Sequence, residues 1–249
     1  MPVEVTWLGH ATVLIEMDGV RVLTDPVLRK RVGPLVRLGP PVEPEATRDI
    51  SAVLLSHLHA DHADPASLRG IEPPPTVLAP VGAAAWLERQ RVPNVREVRA
   101  GEEVDLGPLG VIAEIATHDS RRFRWGPSAE PLGFTVRGSR AVYFAGDTDL
   151  FDEMAALGGT IDVALLPVWG WGSTLGPGHL DPERAARAAA LIAPRVAIPI
   201  HWGSLALPRP MRGKLVGDRP AREFVAATMR EAPGVEVRLL QPGERTRLG

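Results

Sequence analysis

The chain has 249 residues, of which 45% are hydrophobic and 23% charged, and its formal net charge is −2. These values are typical of a folded globular protein and exclude a disordered or fibrous chain. The near-neutral charge carries no electrostatic footprint for nucleic acid, so we expect no nucleic-acid partner. Because the sequence contains no cysteine, disulfides, thiolate zinc sites and cysteine nucleophiles are also excluded.

Short β-rich runs alternate with turns and a few helical segments, which is the pattern of an α/β fold. Helices are predicted at 81–90, from the Asp-Pro pair at 181–182 to about 193, and at 218–231, and a further Asp-Pro pair at 64–65 predicts a helix start. Residues 25–48 predict a loop. The predicted strands, in chain order, are 3–8, 12–17, 20–24, 52–56, 76–79, 95–98, 110–117, 132–136, 141–145, 162–168, 195–200 and 235–240.

No linker or low-complexity segment divides the chain, so we expect one domain over residues 1–249. No basic and apolar leader precedes the first predicted strand, and no run approaches the ~18 apolar residues that a membrane span needs. We therefore expect a cytoplasmic protein without a membrane span.

Three of the predicted apolar strands end directly at residues that can carry chemistry. His57 follows strand 52–56, Gly146-Asp147 follows 141–145, and His201 follows 195–200. Open α/β sheets bind ligands at the carboxyl ends of their strands. We therefore expect these residues to meet in one site.

The strongest motif is His-Leu-His-Ala-Asp-His at residues 57–62. Residues two apart at a strand end point the same way, so His57 and His59 can share one cation. Asp61 and His62 lie on the turn that follows and can reach a second cation. Imidazole and carboxylate ligands together favour zinc and also suit manganese or iron.

The order of this motif, followed by His118, Asp147 and His201, resembles the metallo-β-lactamase superfamily of binuclear metallohydrolases over nearly the whole chain. The resemblance implies an αββα sandwich of two mixed β-sheets flanked by helices, with two divalent metal ions at one edge. It also implies the ligands: one metal on His57, His59 and His118, the other on Asp61, His62 and His201, and Asp147 bridging both.

Shorter motifs look like one branch of that superfamily. They are Thr-Trp-Leu-Gly-His-Ala-Thr at 6–12, Thr-Asp-Pro at 24–26, Ala-Gly-Asp-Thr at 145–148, His-Leu-Asp-Pro-Glu at 179–183 and Ile-His-Trp-Gly at 200–203. The branch contains the phospholipase D that cleaves N-acyl-phosphatidylethanolamine, together with hydrolases similar to L-ascorbate-6-phosphate lactonase.

Several residues outside the ligand set are candidates for supporting roles. His179 follows a glycine-rich segment, and we predict that it binds a substrate oxygen or protonates the leaving group; the alternative is a histidine that packs or caps. We assign a catalytic role to Asp61 as well. His10 and Asp25 end early strands and are predicted to orient ligand imidazoles through hydrogen bonds.

Two further groups predict substrate contacts. Arg122, within the arginine-rich segment 121–124, is predicted to grip an anionic substrate, with a solvated loop as the alternative. Trp171 and Trp202, together with Trp169, predict an aromatic wall for an apolar part of the substrate, with ordinary core packing as the alternative.

The leading interpretation is a binuclear metal-dependent hydrolase that uses a metal-bridging hydroxide on a phosphodiester or on a phosphate-bearing small molecule or lipid. The first alternative is a lactonase with the same metals. The second is a non-catalytic metal-binding scaffold, which the completeness of the ligand set disfavours. The expected partner is a small anionic or lipid-derived substrate, and a homodimer is expected from the family resemblance alone.

Overall fold

The computed structural model describes residues 2–211 and 217–249. Its α-helices are α1 (Pro65–Arg69), α2 (Ala84–Arg89), α3 (Pro182–Ile192) and α4 (Arg219–Glu231), and short 3-10 helices cover Pro44–Thr47 and Asp152–Leu157. The strands are β1 (Val3–Gly9), β2 (Thr12–Met17), β3 (Val20–Thr24), β4 (Arg31–Val32), β5 (Leu35–Arg37), β6 (Ala52–Leu54), β7 (Thr76–Pro80), β8 (Val95–Val98), β9 (Glu103–Asp105), β10 (Gly110–Ile115), β11 (Leu132–Arg137), β12 (Ala141–Phe144), β13 (Val163–Pro167), β14 (Val196–Ile200), β15 (Leu205–Ala206), β16 (Glu236–Val237) and β17 (Arg245–Leu248).

The described residues form two seven-stranded mixed sheets and one three-stranded sheet. The first sheet has the order β17-β1-β2-β3-β6-β7-β8 and the second has the order β16-β14-β13-β12-β11-β10-β9. In each large sheet one half is antiparallel and the other half is parallel. The small sheet, β15-β5-β4, is antiparallel.

The core lies between the two large sheets because their facing strands alternate apolar residues. On β1, Val3, Val5 and Trp7 point into this interior, while Leu8 joins a second cluster on the opposite face of the first sheet. Helices α1 and α2 contribute Leu68 and other residues to that second cluster, and α3 and α4 pack against the second sheet. The resulting layers are helix, sheet, sheet and helix, which confirms the predicted αββα sandwich.

Both predicted Asp-Pro helix starts are confirmed. Asp64 accepts a hydrogen bond from the backbone of Ser67 at the start of α1, and Asp181 accepts one from Arg184 at the start of α3. In each helix a proline occupies the first turn, where its missing N–H costs nothing. Helix α3 ends where Ala193 adopts a left-handed backbone with φ 47°.

Several predicted boundaries were wrong. The predicted strand 110–117 ends at residue 115, the predicted strand 235–240 is paired only at 236–237, and helix 81–90 shrinks to Ala84–Arg89 behind Gly82, which has φ 96°. The predicted loop 25–48 contains β4 and β5, and β9, β15 and β17 were not predicted. Strands β17 and β15 are created by partners distant in the chain, β1 and β5, and carry little local signal.

No helix in residues 2–211 and 217–249 combines the length and the apolar character that crossing a membrane requires.

The packing predicts where stability resides. Phe134, on β11, is fully buried in the core between the sheets. Phe134→Ala should lower the free energy of unfolding by about 3–5 kcal/mol, because it leaves a cavity in a close-packed interior. Met229→Ala on α4, where Met229 is 72% exposed, serves as the control and should change it by less than about 0.5 kcal/mol. Urea denaturation measures both, and equal effects of the two substitutions would contradict this assignment of the core.

Candidate metal centre

The carboxyl ends of strands from both large sheets meet at one edge of the sandwich. His57 and His59 follow β6 of the first sheet, while Asp147 and His201 follow β12 and β14 of the second. The Nε2 atoms of His62 and His201 lie 3.0 Å apart, although 139 residues separate them in the chain. The predicted convergence of the three strand ends is therefore confirmed.

One group of imidazoles comprises His57, His59 and His118. His59 Nε2 donates to the carbonyl of Arg121 (2.9 Å) and His118 Nδ1 donates to the carbonyl of Gly178 (2.6 Å). Carbonyl oxygens only accept hydrogen bonds, so the other ring nitrogens, His59 Nδ1 and His118 Nε2, carry lone pairs. These two nitrogens face each other at 3.1 Å.

A second group comprises His10, Asp61, His62 and His201. His201 Nδ1 donates to the carbonyl of Trp169 (2.7 Å), and His62 Nδ1 contacts the carboxylate of Asp25 (2.7 Å). The Nε2 atoms of both rings therefore turn inward, toward each other.

Asp147 lies between the two groups. Its Oδ2 is 3.1 Å from His62 Nε2 and 4.0 Å from His118 Nε2, and its Oδ1 is 3.2 Å from His201 Nε2. The side chain is 2% exposed, and a glycine precedes it for two reasons: Gly146 has φ 62°, and a Cβ there would lie 2.6 Å from Ser56 Cβ. The carboxylate tip can therefore reach this position only because residue 146 is a glycine.

The inward-facing nitrogen and oxygen atoms suit cations, because several of them find no hydrogen-bond donor in the protein. In the first group the lone pairs of His59 and His118 face each other, and in the second the lone pair of His201 Nε2 faces Asp147 Oδ1. The buried acceptors His57 Nε2 and Asp147 Oδ1 receive no hydrogen bond. Unpartnered buried polar atoms cost about 1–3 kcal/mol each, whereas a shared divalent cation would satisfy all of them. The outward nitrogens are bound to carbonyls or carboxylates, which is the usual arrangement around metal-ligating histidines.

Burial and neighbouring charges both shift the pKa values of the buried groups in the site. Although burial opposes it, the imidazoles of His201 and His62 hold the pKa of Asp147 well below its usual range. Burial also opposes a charged His62, but the carboxylates of Asp147 and Asp25 raise its pKa well above the ordinary value. Burial lowers the pKa of the imidazoles of His57, His59 and His118. It lowers the pKa of His201 to about 3.

A cavity of about 730 Å³ opens onto the two groups. His179 lies at its edge, with Nε2 3.6 Å from Asp147 Oδ2 and its ring 4.6 Å from that of His118. His59, Asp61, Asp147 and His201 also line the cavity. The protein therefore presents the inward nitrogens and carboxylates to a space of the size that small-molecule sites occupy.

A family model described as a beta-lactamase superfamily domain matches residues 20–202. The chain belongs to the metallo-β-lactamase superfamily. A UPF0173 metal-dependent hydrolase of Methanopyrus kandleri is 34% identical, over 97% of this chain and 98% of the relative. N-acyl-phosphatidylethanolamine-hydrolyzing phospholipase D 1 of Caenorhabditis elegans is 31% identical, over 80% of this chain and 63% of that protein. Among solved structures, the metallo hydrolase Igni18 of Ignicoccus hospitalis has a TM-score of 0.76 and 25% identity, with 100% and 99% of the two chains covered.

These matches confirm the resemblance drawn from the motifs. They place this metallo-β-lactamase-fold chain in the UPF0173 metal-dependent hydrolase branch, with the phospholipase as a more distant homologue.

Asp25 connects the two groups of this metallo-β-lactamase site. Its fully buried carboxylate accepts from the backbone N–H of Ser56 (2.7 Å) and the Ser56 hydroxyl (2.5 Å), and it contacts His62 Nδ1. Ser56 Oγ in turn lies 2.9 Å from His57 Nδ1. One carboxylate thus orients an imidazole in each group. Ser56 was not predicted, although its place next to the motif was a usable signal.

His10 was expected to orient a ligand imidazole through a hydrogen bond, but it contacts a predicted carboxylate ligand instead. Its Nε2 hydrogen-bonds to Asp61 Oδ2 at 3.0 Å, and its ring packs 3.7 Å from that of His201. His10, Asp25 and His201 all have positive φ values, of 56°, 31° and 64°. Non-glycine residues rarely adopt this backbone conformation, and it tends to occur at functional sites.

The predicted substrate residues have separate outcomes. Trp171 lines the cavity. Trp202 does not: it is 3% exposed and packs 4.8 Å from Trp7 in the core, which is the alternative considered for it. Arg122 lines the cavity but donates from Nη1 to the carbonyls of Leu58 and Ala63, and its guanidinium lies 4.2 Å over the Trp86 ring. Arg122 thus holds residues 57–63, the histidine-rich loop, in place.

Loss of the Asp25 carboxylate should weaken metal binding. Asp25→Asn keeps the size of the side chain but exchanges a carboxylate oxygen for an N–H₂ that cannot accept hydrogen bonds from Ser56 and His62. We expect metal affinity to fall about 10–100-fold, the usual cost of losing a partner of a metal ligand. Competition with a chromogenic chelator measures this, with Asp152→Asn, an exposed position, as the control. Equal affinities in the two variants would contradict the role of Asp25.

Proposed function

We propose that this chain is a metal-dependent hydrolase that binds two divalent ions and cleaves a phosphodiester or another phosphate-bearing small molecule. The observation that carries the proposal is the double set of inward lone pairs, contributed by imidazoles on both sides of the Asp147 carboxylate and open to the cavity. Membership of the UPF0173 metal-dependent hydrolase branch supports it.

The residues that would hold the ions are those the sequence indicates: His57, His59 and His118 for one, Asp61, His62 and His201 for the other, and Asp147 for both. Bound divalent ions would lower the pKa of a bound water to about 7 and would stabilise negative charge on a substrate oxygen. Zinc fits this mixture of imidazole and carboxylate best, and manganese and iron accept the same donors.

His179 is proposed to move a proton to the leaving group. Its Nδ1 faces the carbonyls of Gly176 (3.2 Å) and Pro177 (3.0 Å), so the hydrogen of the neutral ring resides there and Nε2 faces Asp147 and the cavity. A protonated Nε2 could give its proton to an oxygen departing from the reacting centre. Arg184, at the start of α3, positions this segment: it pairs with Asp149 and donates to the His179 carbonyl at 3.4 Å.

Asp61 is proposed to combine ligation with orientation of the attacking water. Its Oδ2 accepts from His10 Nε2, which holds the carboxylate in one rotamer. Although burial opposes ionisation, the imidazoles of His10 and His62 keep the pKa of Asp61 well below its usual range. An ionised, oriented carboxylate at the cavity floor can bind a cation and accept a hydrogen bond from the attacking water.

A lactonase is the second candidate, and one observation favours it. Among the described residues that line the cavity, Arg122 is the only arginine or lysine, and its Nη1 already donates hydrogen bonds to backbone carbonyls. A neutral cyclic ester needs no cationic partner from the protein, whereas a phosphate monoester would gain from one.

The direct test is metal-dependent hydrolysis. Protein purified without chelator should contain about two metals per chain by plasma mass spectrometry and should cleave bis-p-nitrophenyl phosphate. Asp147→Asn should reduce kcat/KM by about 100-fold or more, because both groups of ligands share this carboxylate. This loss exceeds the 10–100-fold that is usual when a residue that only hydrogen-bonds to a metal ligand is replaced. Asp152→Asn should retain full activity. Cleavage of a simple lactone without diester cleavage would select the lactonase, and metal that stays substoichiometric after reconstitution would refute both candidates.

The role of His179 has a specific signature. His179→Ala should retain the metal content, because its carboxylate neighbour Asp147 keeps its other contacts. General acid catalysis contributes about 10²–10⁴-fold, and it matters most for poor leaving groups. We therefore expect a large loss of kcat/KM with alkyl phosphodiesters and a small one with p-nitrophenyl esters. An identical loss with both classes would show that His179 does not protonate the leaving group.

A further inference from the structure

We infer that the substrate carries an apolar group next to the scissile bond, and that the small sheet β15-β5-β4 and the residues next to it recognise this group. This inference rests on the proposed hydrolase function and narrows its substrate class. The recognition surface, called here the apolar wall, consists of Leu38, Leu205, Ala206, Leu207 and Met211, all of which line the cavity.

The apolar wall is joined rigidly to the ligand residues. Its strand β15 begins four residues after His201 and pairs with β5, with Leu205 opposite Arg37. The Ser204 carbonyl accepts from the backbone of Leu38 at 2.8 Å, and the Ser204 hydroxyl accepts from the backbone of His10 at 2.6 Å. A substrate group on the wall is therefore held at a defined position relative to the reacting centre.

An apolar cluster continuous with the wall supports it from behind. Val27, Val32 and Leu35 pack there with Leu205 of the wall, and Ala60 and Leu207 pack against them. This support makes the wall a preformed surface, and preformed surfaces cost little ordering entropy when a ligand binds.

The opposite side of the cavity also contributes apolar side chains. Trp171 and Leu175, from the glycine-rich segment before His179, line it beside Ser173 and Thr174. A Cβ on Gly170 would lie 3.7 Å from Leu175 and 4.0 Å from His201, so this segment passes close over the ligand residues. Trp171 is 41% exposed and Met211 is 64% exposed. An apolar substituent between these side chains would remove their surface from water.

The imidazoles and carboxylates of the site lie at the floor of the cavity, between these two sides. His59, Asp61, Asp147, His179 and His201 are there, next to the predicted reacting centre. A substrate with one polar, cleavable linkage and an adjoining alkyl or aryl group matches this division, and a uniformly polar substrate such as a sugar phosphate does not. Of the tryptophans predicted to form an aromatic wall, Trp171 thus lines the cavity, and aliphatic residues in and beside the small sheet take the place expected for Trp202.

A homologous substrate series tests the inference with metal-loaded full-length protein. Methyl, butyl, hexyl and octyl p-nitrophenyl phosphates have the same leaving group and the same single negative charge. Each methylene that becomes buried should raise kcat/KM about fourfold until the cavity is filled. Leu38→Asn should flatten this dependence and lower the hexyl-to-methyl ratio at least about tenfold. Leu191→Asn, at a 36% exposed leucine on α3, is the matched control and should leave the ratio unchanged.

The outcomes separate the two proposals. Hydrolysis at rates independent of chain length would overturn the inference and leave the hydrolase proposal standing. If no diester is cleaved, γ-lactones with short and long alkyl side chains replace them, and the same ratio is measured. If neither series reacts, the hydrolase proposal fails. In that case, the affinities of hexylphosphonate and methylphosphonate, measured by calorimetry, test the apolar wall alone. Tighter binding of hexylphosphonate that is lost in Leu38→Asn supports the wall, and equal affinities refute it.

Discussion

The buried carboxylate of Asp25 is the constraint on which the site depends. It sits at the end of β3, between the two groups of inward-facing nitrogens, and holds His62 directly and His57 through Ser56. A buried carboxylate is costly unless its oxygens are saturated, and here the partners that saturate it are the residues that must be oriented. The requirement to satisfy one buried charge thus aligns histidines of both groups.

The sandwich supplies the second condition, which is convergence. Each large sheet contains parallel strands whose carboxyl ends point to one edge, and their loops place Asp147 and His201 opposite the histidine-rich loop. The chain must reverse direction sharply at this edge, which an extended strand cannot do. The chain turns there with left-handed residues, among them His201 and Gly146, and the surrounding core holds them in that conformation. Stability of the core and geometry of the centre are therefore linked.

The cavity shows how a widespread fold acquires a particular preference. The ligand residues belong to the common edge of the two large sheets, whereas the small sheet and the glycine-rich segment form the sides. Fold alone does not define a substrate; the loops placed on it do. In this chain the sides are largely apolar, and Arg122, whose position near the centre suggests substrate binding, has Nη1 committed to the backbone of the histidine-rich loop.

The amino-acid sequence by itself determined the α/β class, the helix starts at Asp64 and Asp181, and the meeting of the strand ends, because apolar strand runs, Asp-Pro caps and a dense histidine motif are local signals. The αββα layering and the ligand set were implied by the resemblance of the motifs to the metallo-β-lactamase superfamily. Tertiary structure alone decided the rest. Whether Trp202 faces the cavity or the core, and which leucines replace it, depends on pairing between β15 and β5, whose residues lie about 170 positions apart. Periodicity reports which face of a strand is apolar, but only the assembled sheets determine what that face meets.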